Sequence, residues 1–104
     1  MQINESLSFL QTRLFLPEPA LIRYYLICTT VPALSSEPGS VYSLLCILSR
    51  RRQPDETAFF YDVSRSRADA EAFRRILWES AVLPCAVGDI LEDWLSDPDY
   101  LPPG

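Results

Sequence analysis

The sequence predicts an α+β domain: an antiparallel sheet of about four strands, followed by two amphipathic helices packed on one face of that sheet. Three observations lead there. The first sixty residues lack helix-start signals and carry aromatic and β-branched runs between proline-marked breaks. From residue 64 onward the apolar residues recur at three- and four-residue spacing instead. The breaks between the early runs are short, which favours antiparallel neighbours.

The elements follow in order. "LSFLQTRLFL" (7–16) reads as a strand, although Leu7, Leu10 and Leu14 also fit a helical period. "PEP" (17–19) forces a turn, and "ALIRYYLICTTV" (20–31) follows. In that segment Ile22, Tyr24, Leu26 and Cys28 alternate with Arg23 and Thr29, as a half-buried strand requires. "PALSSEPGS" (32–40) has the composition of a loop. "VYSLLCILSR" (41–50) is an almost continuous apolar run, suited to a central strand with both faces covered. "RRQPDET" (51–57) turns the chain into a fourth strand, "AFFYDV" (58–63).

The helices come next. "SRSRADAEAFRRILWESA" (64–81) sets Ala70, Phe73, Ile76, Leu77 and Ala81 at helical spacing. Ser66 and Asp69 form a capping pattern there, with Ser64 as a rival cap. A second helix is expected from about Ala86 to Ser96, its stripe made of Val87, Ile90, Leu91, Trp94 and Leu95. The reading is one domain over 1–96 with an irregular tail at 97–104, where "DPDYLPPG" cannot continue a helix.

Composition narrows the chemistry. The chain has no His and no Lys, so the usual general base near neutral pH and the Schiff-base nucleophile are both missing. A Walker-type phosphate loop is excluded for the same reason. Cys28, Cys46 and Cys85 are odd in number and widely spaced, which predicts free thiols buried as small hydrophobes rather than a disulfide or metal pair. No apolar run approaches the ~20 residues of a membrane helix. The N-terminus lacks the basic region of a secretory signal, so a cytoplasmic protein is expected. The net charge of −5 argues against general nucleic-acid binding. Charge is uneven, however: residues 50–75 hold seven of the nine arginines, while 76–104 hold six acids and no base.

The segments "RYYLI", "YSLLCIL", "YDVSRSRADAEAF" and "LPCAVGDILEDWL" occur in an order that resembles a family of short bacterial proteins known only as a domain of unknown function, number 6514. The matching pieces span most of residues 22–95. The resemblance marks Tyr24, Tyr25, Asp62, Ser64, Pro84, Asp89, Glu92 and Asp93 as the family's recognisable residues, without roles. Ser43 departs from it, since glycine is expected there. The resemblance implies one small strand-then-helix domain and brings no activity.

Four features are candidate sites. Asp89, Glu92, Asp93 and Asp97 gather on one side of the second helix, centred roughly 150° from its apolar stripe at about 100° per residue. They read first as a solvated face, then as an acidic partner-binding surface, and last as a metal or catalytic site. The triplet Arg50, Arg51 and Arg52, with Arg65, Arg67, Arg74 and Arg75, is a candidate clamp for phosphate or RNA beside a helix N-terminus. Against that, turn arginines are normally solvated, and Glu71 is spaced to pair with Arg74 and Arg75. Trp78 falls on the polar side of the first helix near Arg74, where it lies over that guanidinium, tucks under the tail or anchors another protein. Cys85, at the start of the second helix, is the one candidate nucleophile.

The sequence therefore reads as a small protein-binding or regulatory module without catalytic equipment or cofactor. Trp78, Arg74, Asp89, Glu92 and Asp93 are its expected contact residues and another protein its expected partner. The alternative is a nucleic-acid or phosphate ligand at the loop of Arg50, Arg51 and Arg52; a small metal-dependent or thiol enzyme comes third.

Overall fold

The computed structural model describes residues 5–15, 18–31 and 39–96, with no account of the side chains at 5–7 and 31. Of the expected loop at 32–40, residues 32–38 lie outside the described residues, as do Pro17 of the first turn and the tail 97–104 with Asp97, while Gly39 and Ser40 belong to the third strand. Four strands come first: β1 (Glu5–Leu14), β2 (Ala20–Val31), β3 (Gly39–Arg50) and β4 (Glu56–Ser64). Two helices follow, α1 (Arg67–Glu79) and α2 (Pro84–Ser96). The sheet is an antiparallel meander of order β1-β2-β3-β4, so the predicted α+β architecture is the one observed.

Register decides what each face carries. Tyr24 pairs with Leu10 on one side and Cys46 on the other; Ile22 pairs with Leu48 and Leu26 with Leu44. These residues alternate with outward ones, so Ile22, Tyr24, Leu44, Cys46 and Leu48 share one face. They are buried there with Phe73 and Leu77 of α1 and Val87 of α2. The helical period of β1 loses to this pairing: Leu10 and Leu14 both fall on the helix-facing side of a strand whose partner, β2, supplies the ladder.

One irregularity aims the end of β4. Tyr42 pairs with Ser64 and Leu44 with Phe60, so residues 61–63 stand opposite Ser43 alone. This is a bulge, and Asp62 within it takes a left-handed backbone, φ 55°. Its N–H, turned out of the ladder, donates to the buried Ser43 Oγ at 3.1 Å. The two extra residues leave face parity the same on either side of the bulge; within it Val63 is buried in the core and Asp62 meets Arg65 at 3.2 Å.

The helix ends follow local rules. Ser66 caps α1, its Oγ accepting from Asp69 N–H at 3.3 Å, while Ser64 Oγ accepts from Ser66 N–H. At the other end Val82 N–H donates to the Leu77 carbonyl and Ala81 N–H to the Trp78 carbonyl, with Ala81 at φ 49°. That is a Schellman closure made without the glycine it usually uses. The expected 64–81 helix is shorter for these reasons. The second helix begins earlier than expected, at Pro84, because a first-turn proline lacks only an N–H that no helical carbonyl would have accepted.

Two contacts lock the helical layer in place. The Tyr24 hydroxyl crosses the core and donates to the Val82 carbonyl at 2.8 Å, tying the inner sheet to the connection between helices. Phe73 and Trp94 meet with ring centroids 5.0 Å apart, joining α1 to α2. The result is a plate of two layers, 17 Å across its thinnest direction.

Candidate functional site

Trp78 and Arg74 lie together, as their helical spacing predicts, but they turn inward. The Trp78 indole Nε1–H donates to the Gln11 carbonyl at 2.8 Å, and its ring packs against the core. Arg74 Nη1 donates to the Ser8 carbonyl at 3.1 Å and to Ser8 Oγ at 2.9 Å. Burial pulls the Arg74 guanidinium below its ordinary pKa. The placement of Trp78 on the polar side, over Arg74, is thus corrected: β1 meets that flank of α1 and makes it an inner one. Glu71 consequently does not hold Arg74 or Arg75. It pairs with Arg67 at 2.9 Å, and Arg75 pairs with Glu79 at 2.9 Å.

Asp89, Glu92 and Asp93 are exposed on the outer side of α2, as their angles require. Leu95 is not buried on the core side with Ile90, Leu91 and Trp94; it is 61% exposed in the last turn of α2. Among the described residues no group of three or more Cys, Asp or Glu side chains could hold a metal ion.

The arginine triplet is divided. Arg50 is held by Glu56 across the β3–β4 turn at 2.6 Å, whereas Arg51 and Arg52 are exposed, Arg52 at φ 64°. Their cleft of about 400 Å³ is shared with Glu18 and Pro19 of the β1–β2 turn, so its charge is mixed. The helix N-terminus expected beside it is not that of α1. β4 begins at this turn and α1 begins after β4 ends, a strand length of roughly 30 Å away. Arg50 and Arg67 are therefore at opposite ends of the sheet.

The three thiols are free, as predicted, but only Cys46 is fully buried; Cys28 is half-buried and Cys85 exposed. Burial pushes the Cys46 thiol up to about 12, which leaves it inert. Cys85 borders a cleft of about 450 Å³ whose walls include Leu14, Leu48, Leu83, Arg50 and Glu56. Pro84 and Val87, three residues apart, take the buried positions of this first turn, and Cys85 between them faces out.

The feature missed in the sequence is the second face of the sheet. Phe9 pairs with Tyr25, Tyr25 with Leu45 and Leu45 with Phe59, so these four form one row across all four strands. The Phe9 and Tyr25 rings lie 5.2 Å apart. Ile27, Ile47 and Tyr61 flank the row on the same side by strand alternation. Phe9, Phe59 and Tyr61 are 50%, 54% and 61% exposed. Val41 and Ser43, at the bulge end, are the buried exceptions. Both helices contact the opposite side, where the core lies, and no described element covers this one. A signal was present: β3 is apolar at both alternations, Leu44, Cys46 and Leu48 against Leu45 and Ile47, whereas two consecutive helices supply a cover for one side only.

The open face can bury apolar surface and stack aromatic rings; it carries Arg13 and Arg23 toward the β1–β2 turn, and at the bulge end Arg65, paired with Asp62, reaches to 3.8 Å from where a Cβ on Gly39 would stand. Its centre has the composition of an interface core, aromatic with arginine at its margin, and the Asp62–Arg65 ion pair lies at its bulge end. No helix among the described residues is long and apolar enough to cross a membrane. No protein-family model, no curated protein and no solved structure matches the chain.

Proposed function

We propose that this chain is a non-enzymatic protein-binding module and that it binds through the open face of its sheet. The observation that carries the reading is the aromatic row Phe9, Tyr25, Leu45 and Phe59, set in register across four strands with large apolar groups exposed. Contiguous exposed apolar surface of that kind marks an interaction site on a folded protein. The absence of His and Lys from the whole sequence supports a binding role over a catalytic one. Trp78 and Arg74 have their polar groups engaged with β1 and act in this reading as the clamp that holds α1 to the sheet, not as contact residues. Asp89, Glu92 and Asp93 then serve as a solvated outer surface.

A photo-reactive amino acid placed at Phe59 or at Asp93 tests the proposal. Protein adducts are expected at position 59 and not at position 93. Adducts confined to position 93 would transfer the role to the helical side, and their absence at both would remove it.

A further inference from the structure

We infer that the occupant of the open face is a second copy of this chain, so that two sheets pack face to face as an eight-stranded sandwich covered by helices on both outer sides. The inference rests on the reading of that face as a protein-binding surface. It adds the partner.

Four observations favour a copy. The first is shape. A sheet of four strands spaced about 4.8 Å apart and some ten residues long offers a plan area on the order of 600 Å². Corrugation by side chains raises the accessible area toward the roughly 800 Å² per partner of a stable complex. The second is geometry: sheets of this size pack face to face about 10 Å apart, rotated by about 30°, with inner side chains interleaved. A twisted antiparallel meander is complementary to its own copy in that arrangement.

The third observation is charge. The protein carries −5 overall, yet on this face the described charges are the Arg65–Asp62 ion pair at the bulge end, which cancels, and two cations, Arg13 and Arg23. Both lie on the side of the aromatic row toward the β1–β2 turn, since Arg13 pairs with Leu21 and Gln11 with Arg23. A two-fold axis along the row stacks Phe9, Tyr25, Leu45 and Phe59 on their own copies. It also carries the two pairs of arginines to opposite ends, where their heads reach the rim and only the apolar stems lie inside. The acids of α2 remain on the far side of each plate, away from the junction. The fourth is the double-sided apolar pattern of β3. A strand with Leu45 and Ile47 on one side and Leu44, Cys46 and Leu48 on the other suits a layer covered twice, and pairing through this face supplies the second cover.

The experiment is sedimentation velocity with light scattering on the full chain at micromolar concentrations, beside two variants. One carries Phe9→Lys with Phe59→Lys; the other, a control, carries Leu95→Lys on the exposed end of α2. The expected result is twice the chain mass for the wild type and the control, and the single chain mass for the double variant, with unchanged helical circular dichroism. A dimer in all three proteins overturns the inference, because pairing then uses another surface.

A monomeric wild type also overturns it, and binding of the hydrophobic dye ANS separates the remaining cases. Dye bound by the wild type and lost in the double variant leaves the face available to a different protein. A monomer that binds no dye shows the face covered by the chain itself, which removes the protein-binding reading as well. Should the double variant lose its helical signal, Tyr61→Lys alone, at a position 61% exposed, replaces it with the same expected halving of mass.

Discussion

The two faces of the sheet are made by alternate residues of the same four strands, yet they differ in nearly every physical respect. On the covered face Ile22, Tyr24, Leu44, Cys46 and Leu48 are sealed by Phe73, Leu77 and Val87. The deep Tyr24 hydroxyl has a partner in the Val82 carbonyl. On the open face Phe9, Phe59 and Tyr61 expose half of their surface or more. The difference teaches that apolar content and burial are separate matters: alternation assigns a side chain to a face, and what covers that face is settled by the rest of the chain or by another one.

The comparison is broken most strongly by deleting one large ring from each side. Phe73→Ala empties a fully buried site beside Trp94 and is expected to cost about 3–5 kcal/mol in urea denaturation. Phe59→Ala, measured in the same way at a concentration low enough to keep the chain monomeric, is expected to cost within about 0.5 kcal/mol, as surface substitutions do. Equal costs would mean that the open face is packed within a single chain.

Alkaline pH probes the covered face alone. Burial raises both the Cys46 thiol, up to about 12, and the Tyr24 phenol, the latter further by its closeness to Cys46. Both groups keep their protons in the folded chain at pH values where the unfolded chain has released them. Their contribution is therefore complete below the unfolded value, 9.0 for a thiol, and is lost as pH rises through the window up to the folded one. Stability should fall above pH 9 by at most about 1.4 kcal/mol per pH unit for each group. Cys46→Val should flatten the slope, and denaturation curves between neutral and strongly alkaline buffer measure it.

Smaller effects sharpen the contrast at its margins. Ser43→Ala leaves the Asp62 N–H at the bulge without its acceptor and is expected to cost about 1 kcal/mol. A cost near zero would show that the bulge is held by Val63 packing alone. Gly88→Ala is expected to stabilise by about 0.5–1 kcal/mol: the glycine lies within α2, has no left-handed backbone, and an added Cβ would meet only Phe60 ring carbons at 3.6 Å. A loss of stability there would mean that α2 sits against β4 more tightly than this contact distance implies.

Much of the candidate surface was legible in part. The outward direction of Asp89, Glu92 and Asp93 followed from helical angles, because a side chain's bearing about its own axis is a local property. Trp78 and Arg74 were found as neighbours but given the wrong surroundings. Their bearing is local, whereas the approach of β1 to that flank depends on a strand some 65 residues earlier in the chain. The aromatic row escaped notice because its members come from four separate strands. Phe9, Tyr25, Leu45 and Phe59 become neighbours only through register, which pairing sets and no single segment encodes.

The sequence by itself determined the order and type of the six elements, the antiparallel sense of the strands, the Ser66 cap and the inward stripe of α1. Each depends on periodicity, capping or connection length, all of which act within a few residues. Tertiary structure alone decided the bulge at Asp62, the exposure of Leu95 and the division of the arginine triplet. It also decided that both helices cover the same side, leaving Phe9, Tyr25, Leu45 and Phe59 open. Those outcomes depend on where distant backbones meet, and the amphipathic pattern that drives each element to bury a face is silent about which partner arrives there.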